Sequence, residues 1–305
     1  MKKTVFMGAI LLSMATMLFA SISPQLKEID RLITYDKLDE AKALAEKTLT
    51  ETSDKKEQSD LYFILSKVTL SLADEVEALG ASKDELFALF EEGERYADKS
   101  IELFENAPAY VYKGSNIGRW GETKGPLNAL SKADPIRETI KYVVNDLKDT
   151  EQTVGWYLIG QLYYQLPGWP ISYGNKEIAV SVTRKAIDTI EPDQLYIGHF
   201  MGLAKILWDR NWDASKRNSK IKSMEKSWNK EKSDIFEKHF YYEGSRGENF
   251  KPFYSSVNLN KMDDRQEAVM LLQYAINKYK AWPIHTRGDD RAYQEILDLL
   301  SKWGY

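Results

Sequence analysis

The stretch WYLIGQLY, residues 156–163, together with AVSVTRKA, residues 179–186, decides the fold. In the first, the large Trp156 is followed four positions later by Gly160 and three further by Tyr163. In the second, Ala179, Thr183 and Ala186 keep the same four-then-three step. On a helix of 3.6 residues per turn such positions share one face. Small side chains on that face let two helices approach closely, and large ones fill the space around them. The pair reads as two antiparallel helices joined by a turn, one unit of a stacked array.

Working outward, the step recurs. Tyr110, Gly114 and Ile117 in YVYKGSNI give another first helix, and Tyr62, Ser66 and Thr69 a weaker one. In a further unit Gly198, Gly202 and Lys205 keep the small residue in register. Second helices are marked by Gly93, Ala97 and Ser100, by Ala41, Ala45 and Thr48, and by the bulkier Ile136, Ile140 and Val143. Gly202 to Ala214 spans the 12 positions of a standard unit, which makes Ala214 the start of that unit's second helix. Gly160 to Ala179, Gly114 to Ile136 and Ser66 to Gly93 are longer, so extra residues fall between the two helices of those units. The expected architecture is all-α, a tetratricopeptide-like α-solenoid of antiparallel helix pairs with enlarged turns inside the repeats and a C-terminal helical cap.

From about residue 25 to 225 the chain resembles tetratricopeptide-repeat proteins. GRWGETKGPLNAL (118–130) followed by DPIRETI (134–140), and QLYYQLPGWPISYGNKEIAVSVTRKAI (161–187), are similar to the divergent repeats of the regulator-of-microtubule-dynamics-like family and its bacterial relatives. They are also similar to the T component of tripartite ATP-independent periplasmic transporters. The pattern carried over is a helix ending in Tyr, then Pro-Gly, then a Gly-containing turn before an Ala-rich helix; Leu166, Pro167, Gly168, Gly174 and Ala179 fit it. Those transporter components are usually lipoproteins, and this sequence has no cysteine to acylate. The resemblance implies a scaffold that binds a protein or peptide. An accessory small-molecule carrier for a transporter is the alternative it leaves.

Residues 1–20 read as a secretory signal peptide, with Lys2 and Lys3 ahead of an apolar run and small residues at Ala20, Ser21 and Ser23. Cleavage would leave a periplasmic or secreted protein. An uncleaved leader would act as a membrane anchor, although the apolar run is short for a full span. Residues 21–225 form the repeat domain, 226–260 an irregular loop rich in Gly and aromatics, and 261–305 the cap, with Ala268, Leu271, Leu272 and Ala275 as one apolar stripe and Tyr293, Ile296, Leu297 and Leu300 as another.

With 43% hydrophobic and 29% charged residues, the 305-residue chain has a globular balance, and its net charge of −4 lacks the basic footprint of a nucleic-acid binder. Without cysteine there is no disulfide or thiolate chemistry, and His199, His239 and His285 are too widely spaced for a helical zinc pair. No nucleophile elbow, phosphate loop or dinucleotide fingerprint is present, and the acidic pairs Glu91–Glu92, Asp263–Asp264 and Asp289–Asp290 read as solvated charge. No catalytic residue, metal or cofactor is expected. Binding has two candidate places. One is a groove lined by the first helices, with Tyr157, Gln161, Tyr164 and Gln165 from one unit, Val111, Ser115, Gly118 and Arg119 from another, and His199, Leu203 and Ile206 from the next. These groups would hold a peptide or polar ligand, or else pack against a terminal helix curled into the groove. The other place is the two turns RWGETKGP (119–126) and LPGWPISYGNK (166–176). There Trp120, Trp169 and Tyr173 would form an aromatic wall, with Arg119 and Lys176 holding an anion, or each Trp would plug its turn onto a neighbouring repeat.

Overall fold

The computed structural model describes residues 23–244 and 261–305. The leader read at 1–20 and the part of the expected loop at 245–260 lie outside the described residues. Among the described residues there are thirteen α-helices and no strand, and the helices pack against their neighbours in sequence order as an all-α solenoid. None of these helices is long and apolar enough to cross a membrane.

Four pairs follow one another: α1 (Pro24–Thr34) with α2 (Leu38–Glu51), α3 (Lys55–Ala78) with α4 (Lys83–Leu103), α5 (Ala107–Lys124) with α6 (Pro126–Asn145), and α7 (Thr153–Gln165) with α8 (Lys176–Asp188). Helix starts fall where a short polar side chain can accept from the free backbone N–H groups of the first turn. Asp54, Ser82, Asn106 and Asn175 each do this. The first helices of successive pairs also touch, α3 on α5 and α5 on α7.

The small residues sit where helices meet. A Cβ on Gly160 would lie 2.0 Å from Thr183 Oγ1 of α8, and one on Gly93 would lie 2.3 Å from Asn116 Oδ1 of α5. Ser66 Oγ donates to the Gly93 carbonyl at 2.7 Å, and Asn116 Nδ2 donates to Ser66 Oγ at 3.1 Å, so three helices interlock at one level.

The extra residues inside the repeats take two forms. In the α3–α4 and α5–α6 pairs they lengthen the helices, and α5 and α6 are separated only by Gly125, whose φ of +109° suits glycine. Residues 119–124, read above as part of a turn, are therefore helical, because nothing before Gly125-Pro126 stops α5. Only residues 166–175 form an extended turn.

The last unit differs from its expected register. Helix α9 (Ile197–Arg210) takes α12 (Asp264–Ala281) as its main partner, not α10 (Ala214–Lys230). The reason is chemical: α10 is too polar to supply the second apolar face, whereas α12 buries Ala268, Leu271, Leu272 and Ala275 completely. Helix α10 runs on to Lys230, and the short α11 (Ile235–Lys238) continues into a 3-10 turn at His239–Tyr241. That helical excursion occupies much of the stretch read as a loop from 226. It is anchored by Phe236, which is fully buried and stacked on Trp156 with ring centroids 5.9 Å apart.

The excursion is tied in by a buried ion network. Glu267 accepts from Arg184 Nη2 at 2.8 Å and from Arg217 Nη2 at 2.5 Å. Asp264 accepts from Arg210 Nε at 2.8 Å and Nη2 at 2.9 Å, and from the Trp212 N–H at 2.8 Å. Both acids are 0% exposed. The expectation that Asp263–Asp264 is solvated charge therefore fails for Asp264, while Asp263 caps α12 by accepting from Gln266 N. Arginine partners on other helices, remote in sequence, decide this burial.

Candidate functional site

Helix α13 (Arg287–Trp303) packs on α9 and α12 and reaches α3. At one end Trp303 stacks on Trp208 of α9 with centroids 4.0 Å apart, and Glu295 accepts from Lys205 at 2.5 Å. At the other end Arg291 pairs with Glu75, and Arg287 Nε donates to Asp36 Oδ2 at 2.6 Å. The C-terminal helix thus lies across the face that the first helices share.

Several groove candidates are consumed by packing within the core. Val111, Leu203 and Ile206 are core residues. His199 is sandwiched between Tyr157 and Tyr196 at centroid distances of 4.0 and 4.8 Å, and burial, with a smaller push from the Lys278 cation, holds its imidazole down at about 3. Burial also raises the Tyr157 phenol far above its usual range. A neutral stacked imidazole of this kind is a packing element. Tyr164 donates its hydroxyl to Asp209 Oδ2 at 2.7 Å, and Lys176 Nζ donates to the Asp209 carbonyl at 3.2 Å, so both reach towards the end of α9.

The proposed anion clamp is also committed elsewhere. The Arg119 guanidinium faces Asp74 at 3.1 Å, Glu122 at 2.7 Å and the adjacent Glu77. Burial works against its charge, and the three carboxylates outweigh that and raise its pKa. Arg119 joins α3 to α5, and its charge is already met by three carboxylates. Trp120 packs on Phe87 at 5.3 Å and gives its indole N–H to Glu91 at 3.2 Å. Tyr173 packs on Tyr163 at 5.4 Å. The aromatic wall of Trp120, Trp169 and Tyr173 is therefore not assembled: Trp120 serves α4 and Tyr173 serves α7, while Trp169 stands alone, 89% exposed.

What the structure does bring together is a cavity of about 520 Å³ between α5, α6, α7 and the turn that follows α7. Gly118 and Gly121 of α5 form one wall, Leu158 and Leu162 of α7 the facing wall, and Leu130 and Ile136 of α6, with Leu166, Pro167 and Ile171, most of the remainder. The glycines keep α5 smooth. A Cβ on Gly118 would lie 3.3 Å from Leu158 Cδ1 and 3.7 Å from Ile136 Cδ1. Its volume lies within the ordinary range of ligand sites, roughly 300–1,000 Å³. The polar groups in its wall are Glu122, Lys132, Gln161 and Gln165. Ile171, 71% exposed, belongs to its lip, and Trp169 projects from the same turn.

Of the groove positions read from the sequence, Gly118, Gln161 and Gln165 line this cavity. Gly121 and Ile171 fall within the two turns read as candidates, whereas Leu158 and Leu162 were missed although they carried a readable signal. Glycines at 118, 121 and 125 recur along one face of a helix, and Leu158, Leu162 and Leu166 run at spacing four beside the packing positions of α7. Among the described residues no group of three or more His, Asp or Glu side chains is placed to hold a metal ion. Compared with known proteins, the chain matches no family model and no curated protein sequence.

Proposed function

We propose that the protein is a non-catalytic binding protein built from tetratricopeptide-type helix pairs, and that its site is the apolar cavity between α5, α6 and α7. The observation that carries this reading is the cavity itself. Apolar side chains of α6, α7 and the turn after α7, beside the glycines of α5, line open space of about 520 Å³, with exposed Ile171 at its lip. Space with such walls is filled favourably by apolar surface removed from water, at roughly 25 cal/mol per Å². The strongly displaced titrating groups His199 and His239 are buried aromatic packing elements, and the most deeply buried acids are paired with arginines. These features favour binding over catalysis. The leader-like residues 1–20 favour a periplasmic or secreted setting.

The exposed pair Trp169 and Ile171 favours a second reading, in which a partner protein docks on the 166–175 turn and inserts apolar side chains into the same cavity. A transporter accessory role rests on the similarity at 118–140 and 161–187 alone. The test is a titration of the protein with the fluorescent apolar probe 1-aminoanthracene. Saturable one-to-one binding is expected, and Ile171→Glu with Trp169→Ser should abolish it while the circular dichroism of the helices stays unchanged. Equal binding by that double variant would place the site elsewhere.

A further inference from the structure

We infer, resting on the cavity reading above, that the ligand is a single-chain amphiphile with an anionic head, its chain in the apolar cavity between α5, α6 and α7 and its head at Lys132. The polar groups of the wall differ in how far they are already committed. Glu122 accepts from Arg119 Nη1 at 2.7 Å and from Gln165 Nε2 at 3.2 Å, so its charge is matched and the Gln165 amide is held with it. Lys132 is different. Its ammonium lies 5.1 Å from the centroid of the Trp120 ring, and among the described residues no carboxylate comes within ion-pairing distance of it. The Lys124 ammonium lies over the same ring at 5.4 Å. The carboxylate found at that ring, Glu91, takes the indole N–H.

Two ammonium groups therefore stand over one aromatic ring, and one of them, Lys132, belongs to the lining of a mostly apolar cavity. Apolar walls lower the local dielectric and strengthen a charge pair at their edge. A lysine with an apolar stem and a charged tip can line such a wall and still meet a head group near solvent. A cationic head would meet Lys132 with repulsion, and a neutral head would gain the apolar contact and at most a neutral hydrogen bond, such as one from the Gln161 amide.

Calorimetric titration of the full chain with dodecanoate, dodecyl phosphate, dodecanol and dodecyltrimethylammonium, each below its micelle concentration, tests this. Both anions are expected to bind about tenfold more tightly than dodecanol, with the ammonium weakest. Lys132→Gln should bring the anions down to the dodecanol level and leave dodecanol unchanged, and raised salt should shrink the anion advantage in the unaltered protein. The two anion arms separate a carboxylate from a phosphate head. Dodecanol or the ammonium binding as tightly as the anions, or an anion advantage that survives both Lys132→Gln and high salt, overturns the head-group assignment and leaves the cavity standing. Failure of all four to bind, or equal binding by Ile171→Glu, overturns both.

Discussion

Arg291 of α13 grips Glu75 of α3 through two hydrogen bonds, Nη1 to Oε2 at 3.1 Å and Nη2 to Oε1 at 2.5 Å, and so joins the C-terminal helix to the second helix pair. Arg287 adds contacts to Asp36 and to the same Glu75 carboxylate. The paired guanidinium side chains are roughly half exposed, so solvent screens the pairs and limits the contribution of each to about 1 kcal/mol or less. Arg291→Ala is expected to leave the global unfolding midpoint nearly unchanged. It should raise hydrogen exchange at the start of α13 selectively, and α9 and α12 should stay protected. Uniform exchange changes would show that the clasp is part of the global fold.

Glu267 is the opposite case. It is fully buried and faces both Arg184 and Arg217, which are themselves buried. Neutralising it leaves the buried network one negative charge short, although Arg184 still faces Glu243 at 3.7 Å and Arg217 still faces Asp264 at 3.4 Å. Glu267→Gln should cost about 3–5 kcal/mol in urea unfolding and loosen α10 from α12. A loss below 1 kcal/mol would mean that water reaches the network.

Gly160 tests the close approach of α7 and α8. With Thr183 Oγ1 at 2.0 Å from the position of an added Cβ, Gly160→Leu should cost about 1–3 kcal/mol by overpacking, or more where the backbone cannot shift. Among the described residues Thr183 Oγ1 has no hydrogen-bond partner to lose, so Thr183→Ala alone should be mild. Combined with Gly160→Ala it should recover part of that substitution's loss, and additive costs in the double variant would contradict the contact.

Two histidines set the acid limb of stability. Burial is the main cause that holds His199 down at about 3 and His239 at about 4. In the unfolded chain both titrate near 6.5. Between those values the unfolded state binds more protons, so stability is full above about pH 6.5 and falls as the pH drops. The loss is about 1.4 kcal/mol per pH unit for each histidine until its folded value is reached. Thermal melts should show this slope between pH 6.5 and 4. His239→Phe should reduce it, and an unchanged slope would remove His239 from the account.

The helix pairs were legible because Trp156, Gly160, Tyr163 and their counterparts obey a local periodicity that a sequence carries directly. The partner of α9 was not, because α10 and α12 both follow it and only the buried apolar stripe of α12 can fill its face. Arg119 looked available from its neighbours in sequence, yet its acids lie both a turn away, at Glu122, and far back in the chain, at Asp74 and Glu77. Gly118 and the 166–176 turn were legible as candidates, but the cavity was not, because Leu130 and Ile136 of α6 and Leu158 and Leu162 of α7 meet around it only once the helices are packed.

The central claim, that ligand sits between α5, α6 and α7, is tested most directly by photolabelling. A dodecanol carrying a terminal diazirine would be irradiated with the protein and the labelled peptides mapped by mass spectrometry. Labels are expected on the peptides that carry Leu158, Leu162 and Ile171, with competition by unmodified dodecanol. Labels concentrated on α9 and α13, with those peptides unmarked, would contradict the account.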